Sequence, residues 1–201
     1  MPFPFPKHRL LIMASTFVVS TAFLIAARPV PPAFPWATAL RTETNHVAHL
    51  ARGKRATIIM AMASWCHFCA YEDRWVLPVV IHTPGVAIDI VDVSPFRGIA
   101  QPGPKAPAFS GIDGVTHPAS VRQMEATMRR YRQRYHLPPS IHVFIAPSAV
   151  QKTWHVPGFP DFWFANAKGH VTQHIQHALT LPLMRAALQH ALHTNPAHRT
   201  F

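Results

Sequence analysis

Cysteine is almost missing from this chain: Cys66 and Cys69 are the only two thiols among 201 residues. That scarcity excludes a disulfide-stapled framework, because a bridge closing so short a loop removes little entropy from the unfolded chain. A closed zinc site is disfavoured as well, since it needs four ligands and no second Cys-X-X-Cys follows the first. Acidic residues are also few. Eight Asp and Glu stand against 19 Lys and Arg, a formal net charge of +11, which leaves nucleic acid, anionic lipid and acidic proteins open as partners. The 15 His would add positive charge below neutrality. No internal repeat is present. What the chain does have is 49% hydrophobic residues, enough for one buried core, and 21 prolines concentrated in particular segments.

The first of those segments lies at the N-terminus. A basic lead of Lys7, His8 and Arg9 precedes an uncharged run over residues 10–27, the physical pattern of an export signal, and cleaved signal and retained membrane anchor both stay open. Basic residues ahead of the run would keep the N-terminus in the cytoplasm and send the remainder across. The expected organisation is residues 1–27 as signal peptide or anchor, 28–53 as a proline-rich linker with a short helix over 42–52, 54–195 as the folded domain, and 196–201 as a tail. Over 28–41 the prolines favour an extended, stiff tether.

Within the folded part, residues 55–63 (RATIIMAMA) form an apolar run without polar alternation, as expected of a central strand covered on both faces. It delivers the chain directly to Trp65 and Cys66. Phe68, Tyr71, Trp75 and Val79 then recur at helical spacing, predicting a helix from near Cys66 that Pro78 kinks or ends. Residues 86–93 (VAIDIVDV) predict a second strand, parallel to the first. The stretch 94–118, rich in Pro and Gly, is too long for an ordinary connection and reads as a lid, a partner surface or a mobile segment. Ser120 and Gln123 fit a capping box, ahead of a stripe of Val121, Met124, Met128, Tyr131 and Tyr135. Arg122, Arg129, Arg130, Arg132 and Arg134 then read as a solvated face of that helix rather than a nucleic-acid site. A strand over 141–145, a hairpin with 161–165 and 170–175 as its arms, and a last helix capped by Thr180 complete the pattern. Trp154, Trp163 and Phe164 read as packing, and His174 and His177 as solvated.

A strand that ends at Trp-Cys-X-X-Cys and turns straight into a helix sets the first sulfur beside unsatisfied backbone N–H groups and the positive end of the helix dipole. A thiolate is stabilised there, which makes Cys66 the expected nucleophile and Cys69, one turn in, the residue that resolves a mixed disulfide. His67, if charged, would push the same way and make the disulfide more oxidising.

The motif Trp65-Cys66-His67-Phe68-Cys69, its flanking strand and helix, and Gly158-Phe159-Pro160 before a hairpin and final helix resemble the thioredoxin superfamily over about residues 54–193. Glu72 and Pro78 make it more similar to the exported bacterial thioredoxin-like proteins than to thioredoxin itself. The resemblance implies an α/β thioredoxin-like fold with an enlarged insertion, about 94–149, before a cis-proline, and a cis bond between Phe159 and Pro160. It further implies catalysis by Cys66 and Cys69, with Trp65, His67, Phe68, Phe159 and Pro160 shaping the substrate groove. Where thioredoxin carries a buried acid near the end of its first strand, this chain has Met60, and Phe159 stands where a small or β-branched residue is usual. The proton acceptor for Cys69 is left open by that departure, with Glu72 and water both able to serve.

The expected function is therefore thiol-disulfide exchange with protein thiols and disulfides, in the periplasm, without cofactor or metal and with a separate redox partner protein. Residues 10–27 supply the membrane link if they are retained. Two other readings stay in view: a binding or assembly module of a cell-envelope secretion or conjugation complex, and a Cys/His metal carrier.

Overall fold

The computed structural model describes residues 34–105, 112–146 and 148–194. The apolar run read as a central strand is one: β3 (Ala56–Met62) is buried along its whole length. Before it come two short strands, β1 (Leu40–Thr42) and β2 (Val47–Ala48). After it the chain forms α1 (His67–Tyr71), a π-helical turn (Glu72–Val76), α2 (Leu77–Val80) and β4 (Val86–Asp92). A small pair, β5 (Phe96–Arg97) and β6 (His117–Pro118), brackets the proline- and glycine-rich stretch. Then follow α3 (Val121–Tyr135), β7 (Ile141–Ile145), α4 (Ser148–Thr153), β8 (Asp161–Asn166), β9 (Val171–Ile175) and α5 (Leu181–His193).

The main sheet of the described residues runs β2-β1-β7-β4-β3-β8-β9. β3 pairs parallel with β4 from Ala56↔Val86 to Met62↔Asp92 and antiparallel with β8 from Ala56↔Asn166 to Ala61↔Asp161. Alternation along the strands sorts the core into two layers. Met60, Met62, Ile88, Ile90, Phe162 and Phe164 face the layer that holds Cys66, Cys69 and the helices α3 and α5. Ile59, Ala61, Val91 and Trp163 face the other way, against Phe34, Leu40 and Trp154.

Two sequence expectations give way before β3. In place of a helix over 42–52 there is a hairpin, turned at Asn45 with φ 67°, in which Leu40 opposes Ala48. The hairpin forms because Arg41 and Thr42 find strand partners in Ile145 and Phe144, a sheet edge supplied by residues far along the chain. Residues 34–41 are likewise not a tether. Phe34 is buried with its ring 5.1 Å from Trp154 and 5.3 Å from Trp163, and Leu40 is fully buried. The expected signal or anchor at 1–27 and the tail at 196–201 lie outside the described residues. Among the described residues no helix is long and apolar enough to cross a membrane.

The helix after the cysteines buries only part of the stripe its aromatic spacing suggests: Tyr71 is buried. Phe68 and Val79 are exposed and Trp75 is half-buried, whereas Cys69, Ala70, Glu72, Asp73, Val76, Leu77 and Val80 are buried. Pro78 explains the register. With no N–H to bond back to residue 74, the helix widens one turn earlier, where the Leu77 N–H donates to the Glu72 carbonyl, and then continues through α2. That wide turn brings the consecutive acids Glu72 and Asp73 both inward.

The α3 capping box is present in full: the Gln123 N–H donates to the Ser120 side chain and the Gln123 amide oxygen accepts from the Ser120 N–H. Met124, Met128, Tyr131 and Tyr135 are buried while Val121 is exposed. The arginines of α3 are not simply a solvated face. Arg132 donates to the Pro138 carbonyl at 3.0 Å and the Ile141 carbonyl at 2.9 Å, and pairs with the Glu43 carboxylate, tying the helix end to β7 and the first hairpin. β7 itself lies between β1 and β4, so α3 and β7 are part of the core.

Candidate active site

Cys66 is the N-cap of α1, with extended backbone at φ −79° and ψ 118°, so its side chain points back over the first turn. Its Sγ accepts the Cys69 N–H at 3.4 Å and faces the Phe159 carbonyl oxygen at 3.6 Å. The two cysteines are unbridged; Cys66 is 4% exposed and Cys69 is 0% exposed. Hydrogen bonding from the Cys69 thiol pulls the Cys66 thiol below its ordinary value against the opposing effect of burial, with the Cys69 and Phe68 N–H groups adding to the pull. Burial, with Cys66 beside it, pushes Cys69 well up. The pair therefore divides into an ionisable outer sulfur and an inner one that keeps its proton.

The Phe159–Pro160 bond is cis. Phe159 stands edge-on to Trp65 at 5.9 Å between ring centroids, and the Trp65 indole N–H donates to the Ser94 hydroxyl at 2.9 Å. Trp65 and Cys66 thus lie against the Phe159–Pro160 corner. His67 and Phe68 lie beside them, stacked obliquely at 4.1 Å, and Phe68 is 40% exposed. The His67 ring turns toward Asp113, whose carboxylate oxygen accepts the His67 backbone N–H at 3.1 Å and lies 3.0 Å from ring Nδ1.

No family model and no curated protein matches the chain. Solved structures do. A thioredoxin-like protein from Aeropyrum pernix superposes with a TM-score of 0.53 at 13% identity, over 76% of this chain and 88% of that one. This is a thioredoxin-like fold. A secreted Mycobacterium tuberculosis disulfide oxidoreductase described as homologous to E. coli DsbE gives 0.53 at 14% identity, over 76% and 94% of the two chains. StoA from Bacillus subtilis gives 0.51 at 14%, over 78% and 98%. At such identities the likeness speaks for the thioredoxin-like fold, and the chemistry has to be read from this chain's own residues.

In that fold Met60 is fully buried on the cysteine side of β3, and the acids come instead from the wide helical turn. Asp73 is fully buried; its Oδ2 accepts the Tyr131 hydroxyl at 2.6 Å, and its Oδ1 has no hydrogen-bond partner among the described residues. Burial raises its carboxyl to about 7, with the Tyr131 hydrogen bond and Arg132 opposing, and its charge in turn helps to raise Cys69. Glu72 accepts the Leu179 N–H, and burial pushes it well up too. Sequence reasoning named Glu72 and passed over Asp73, although a position four residues after Cys69 on a helix was a signal that could have found it. His174 is not merely solvated: it bonds Asp161 at 2.7 Å and stacks on Trp163 at 4.8 Å. Among the described residues no group of three or more His, Cys, Asp or Glu is placed to hold a metal ion.

Proposed function

We propose that the chain is a thiol-disulfide oxidoreductase acting on protein substrates, with Cys66 attacking and Cys69 resolving. One observation carries this reading: Cys66 caps a helix with its sulfur turned to the Phe159–Pro160 corner, while Cys69 sits fully buried one turn below it. The Cys66 thiolate attacks one sulfur of a substrate disulfide, forming a mixed disulfide and expelling the other substrate sulfur as a thiolate that takes up a proton. Cys69 then gives up its proton and attacks Cys66. The Cys66–Cys69 disulfide forms, the second substrate thiol leaves, and the substrate has gained the two electrons that the enzyme dithiol lost.

Asp73, electrostatically coupled to Cys69 and raised to about 7 by burial, is the side chain best matched to receive the Cys69 proton near neutrality. Trp65 and Phe159 form an apolar wall beside Cys66, with Phe68 exposed nearby, suited to an extended polypeptide rather than a small thiol. The site would act outside the cytoplasm, delivered by residues 10–27. Its oxidised form would be reset by a separate thiol protein, and neither cofactor nor metal takes part.

The test is direct. Cys66→Ser should abolish reduction of insulin disulfides and oxidation of dithiols, and Cys69→Ser should accumulate a mixed disulfide with substrate through Cys66. A wild-type chain inactive in both assays would end the proposal.

A further inference from the structure

Of the stretch 94–118, open in sequence to several readings, the described part, 94–105 and 112–118, folds back onto the Cys-X-X-Cys turn. Its contacts are mostly with backbone: the Ala100 N–H donates to the Ser64 carbonyl at 3.1 Å, and the Gly114 N–H to the Trp65 carbonyl at 2.8 Å. The Trp75 indole N–H holds the Gly103 carbonyl at 3.1 Å, and the Tyr135 hydroxyl holds the Ala100 carbonyl. At Gly114 the two arms of the segment meet so closely that a Cβ would come within 2.8 Å of the Ile99 carbonyl carbon. Asp113 is therefore set in place by its neighbours. It takes the backbone N–H of the residue after Cys66 and the ring of His67 with the same carboxylate oxygen.

Through the positions of Asp113, His67 and Cys66, we infer that Asp113 is a positioning residue that sets the redox poise of the pair, making the Cys66–Cys69 dithiol a stronger reductant. A carboxylate at the first turn of α1 engages an N–H of the kind that would otherwise favour a Cys66 thiolate, and its negative charge opposes that thiolate directly. The same charge raises the Cys66 thiol in part against the hydrogen bonds that lower it. The titratable groups around Cys66 are Cys69 and His67 on its own helix and Asp113 from the facing segment. Asp113 also lies against the His67 ring, so the push that a charged His67 would give the thiolate is opposed by an anion. Destabilising the thiolate disfavours the dithiol relative to the disulfide, and the pair gives up its electrons more readily.

This inference rests on the exchange reading, and the experiment separates the two. The Cys66 thiolate is titrated by its ultraviolet absorbance, and the Cys66–Cys69 couple is equilibrated against glutathione, in wild type, Asp113→Asn and Asp113→Ala. Asp113→Asn keeps an oxygen for the His67 N–H and removes the charge. It should move the thiolate titration to lower pH and shift the equilibrium toward the dithiol by about threefold to tenfold, tenfold being about 30 mV for two electrons. Asp113→Ala should shift both at least as far. Wild-type titrations and potentials in both variants would overturn the inference, and so would a shift confined to Asp113→Ala, which would assign the effect to the lost contact rather than the charge. If the wild-type pair forms no reversible disulfide, the exchange reading fails, while the thiolate titration still decides whether Asp113 acts on Cys66.

Discussion

On one side of the central sheet Phe34, Trp154 and Trp163 meet at ring-centroid distances of 5.1 Å, 5.3 Å and 5.8 Å; on the other, Cys69, Glu72 and Asp73 are buried on the helix that Cys66 caps. Both sides also bury acids, and they treat them differently. On the aromatic side each buried aspartate has a histidine, Asp89 with His142 at 2.8 Å and Asp161 with His174 at 2.7 Å. On the cysteine side Asp73 has a tyrosine hydroxyl and Glu72 a backbone N–H, and among the described residues neither bonds a basic side chain; of the other buried acids, Asp92 accepts the Ser94 N–H and Glu125 lies 3.9 Å from Arg41. A buried carboxyl without a bonded cation keeps its proton to higher pH, which costs stability near neutrality and suits proton transfer. Burial raises the acids on both sides, Asp161 to about 6 beside its histidine and Asp73 to about 7 without one.

The comparison can be broken most severely on the aromatic side. Trp163→Ala should cost about 3 to 5 kcal/mol in urea unfolding, because it opens a cavity among Phe34, Trp154 and His174, yet the folded fraction should keep its thiolate titration unchanged. A moved titration would mean that the two layers are not separable.

Asp73→Asn works in the opposite direction. Burial raises the Asp73 carboxyl from 3.8 to about 7, so the folded state holds a proton that the unfolded chain has already released. The group's contribution to stability is full below about pH 4 and is lost as pH rises through about 7. The asparagine variant, still able to accept from Tyr131, should gain on the order of 2 to 4 kcal/mol at pH 8, and none below pH 4, in the same unfolding assay. It should also resolve mixed disulfides more slowly, read by quenched single-turnover gels. Greater stability together with slower chemistry is the signature sought.

His174→Ala sharpens the comparison with a smaller effect. It leaves Asp161, fully buried and raised by burial to about 6, without its basic partner. The loss should be about 1 to 3 kcal/mol at pH 7 and less at pH 5, where the acid takes up a proton instead. Equal losses at both values would mean that His174 matters through its stacking on Trp163 alone.

Much of this was legible because the signals are local. An unbroken apolar run gave β3, Ser120 and Gln123 gave the start of α3, and Lys168-Gly169 gave the turn of the last hairpin, where Gly169 has φ 78°. The cysteine pair and Trp65 were legible for the same reason, whereas the Phe159–Pro160 corner was legible only through the resemblance to the thioredoxin superfamily. What escaped depends on partners remote in sequence. Residues 34–50 look like tether and helix until β7 offers Arg41 and Thr42 a strand to pair with. Asp113, 46 positions beyond His67, is unremarked until the fold sets its carboxylate against that residue. Asp73 was passed over because the spacing of Phe68, Tyr71, Trp75 and Val79 put the buried face elsewhere on the helix, although Asp73 stands four residues after Cys69.

The central claim, an ionisable outer sulfur above a shielded inner one, is tested most directly by the pH dependence of iodoacetamide modification of the reduced, folded chain, with each cysteine assigned by mass spectrometry. The account predicts that Cys66 is modified at a pH below that of an ordinary thiol, while Cys69 stays unmodified until the protein unfolds. Equal modification of both cysteines, or of neither before unfolding, would contradict it.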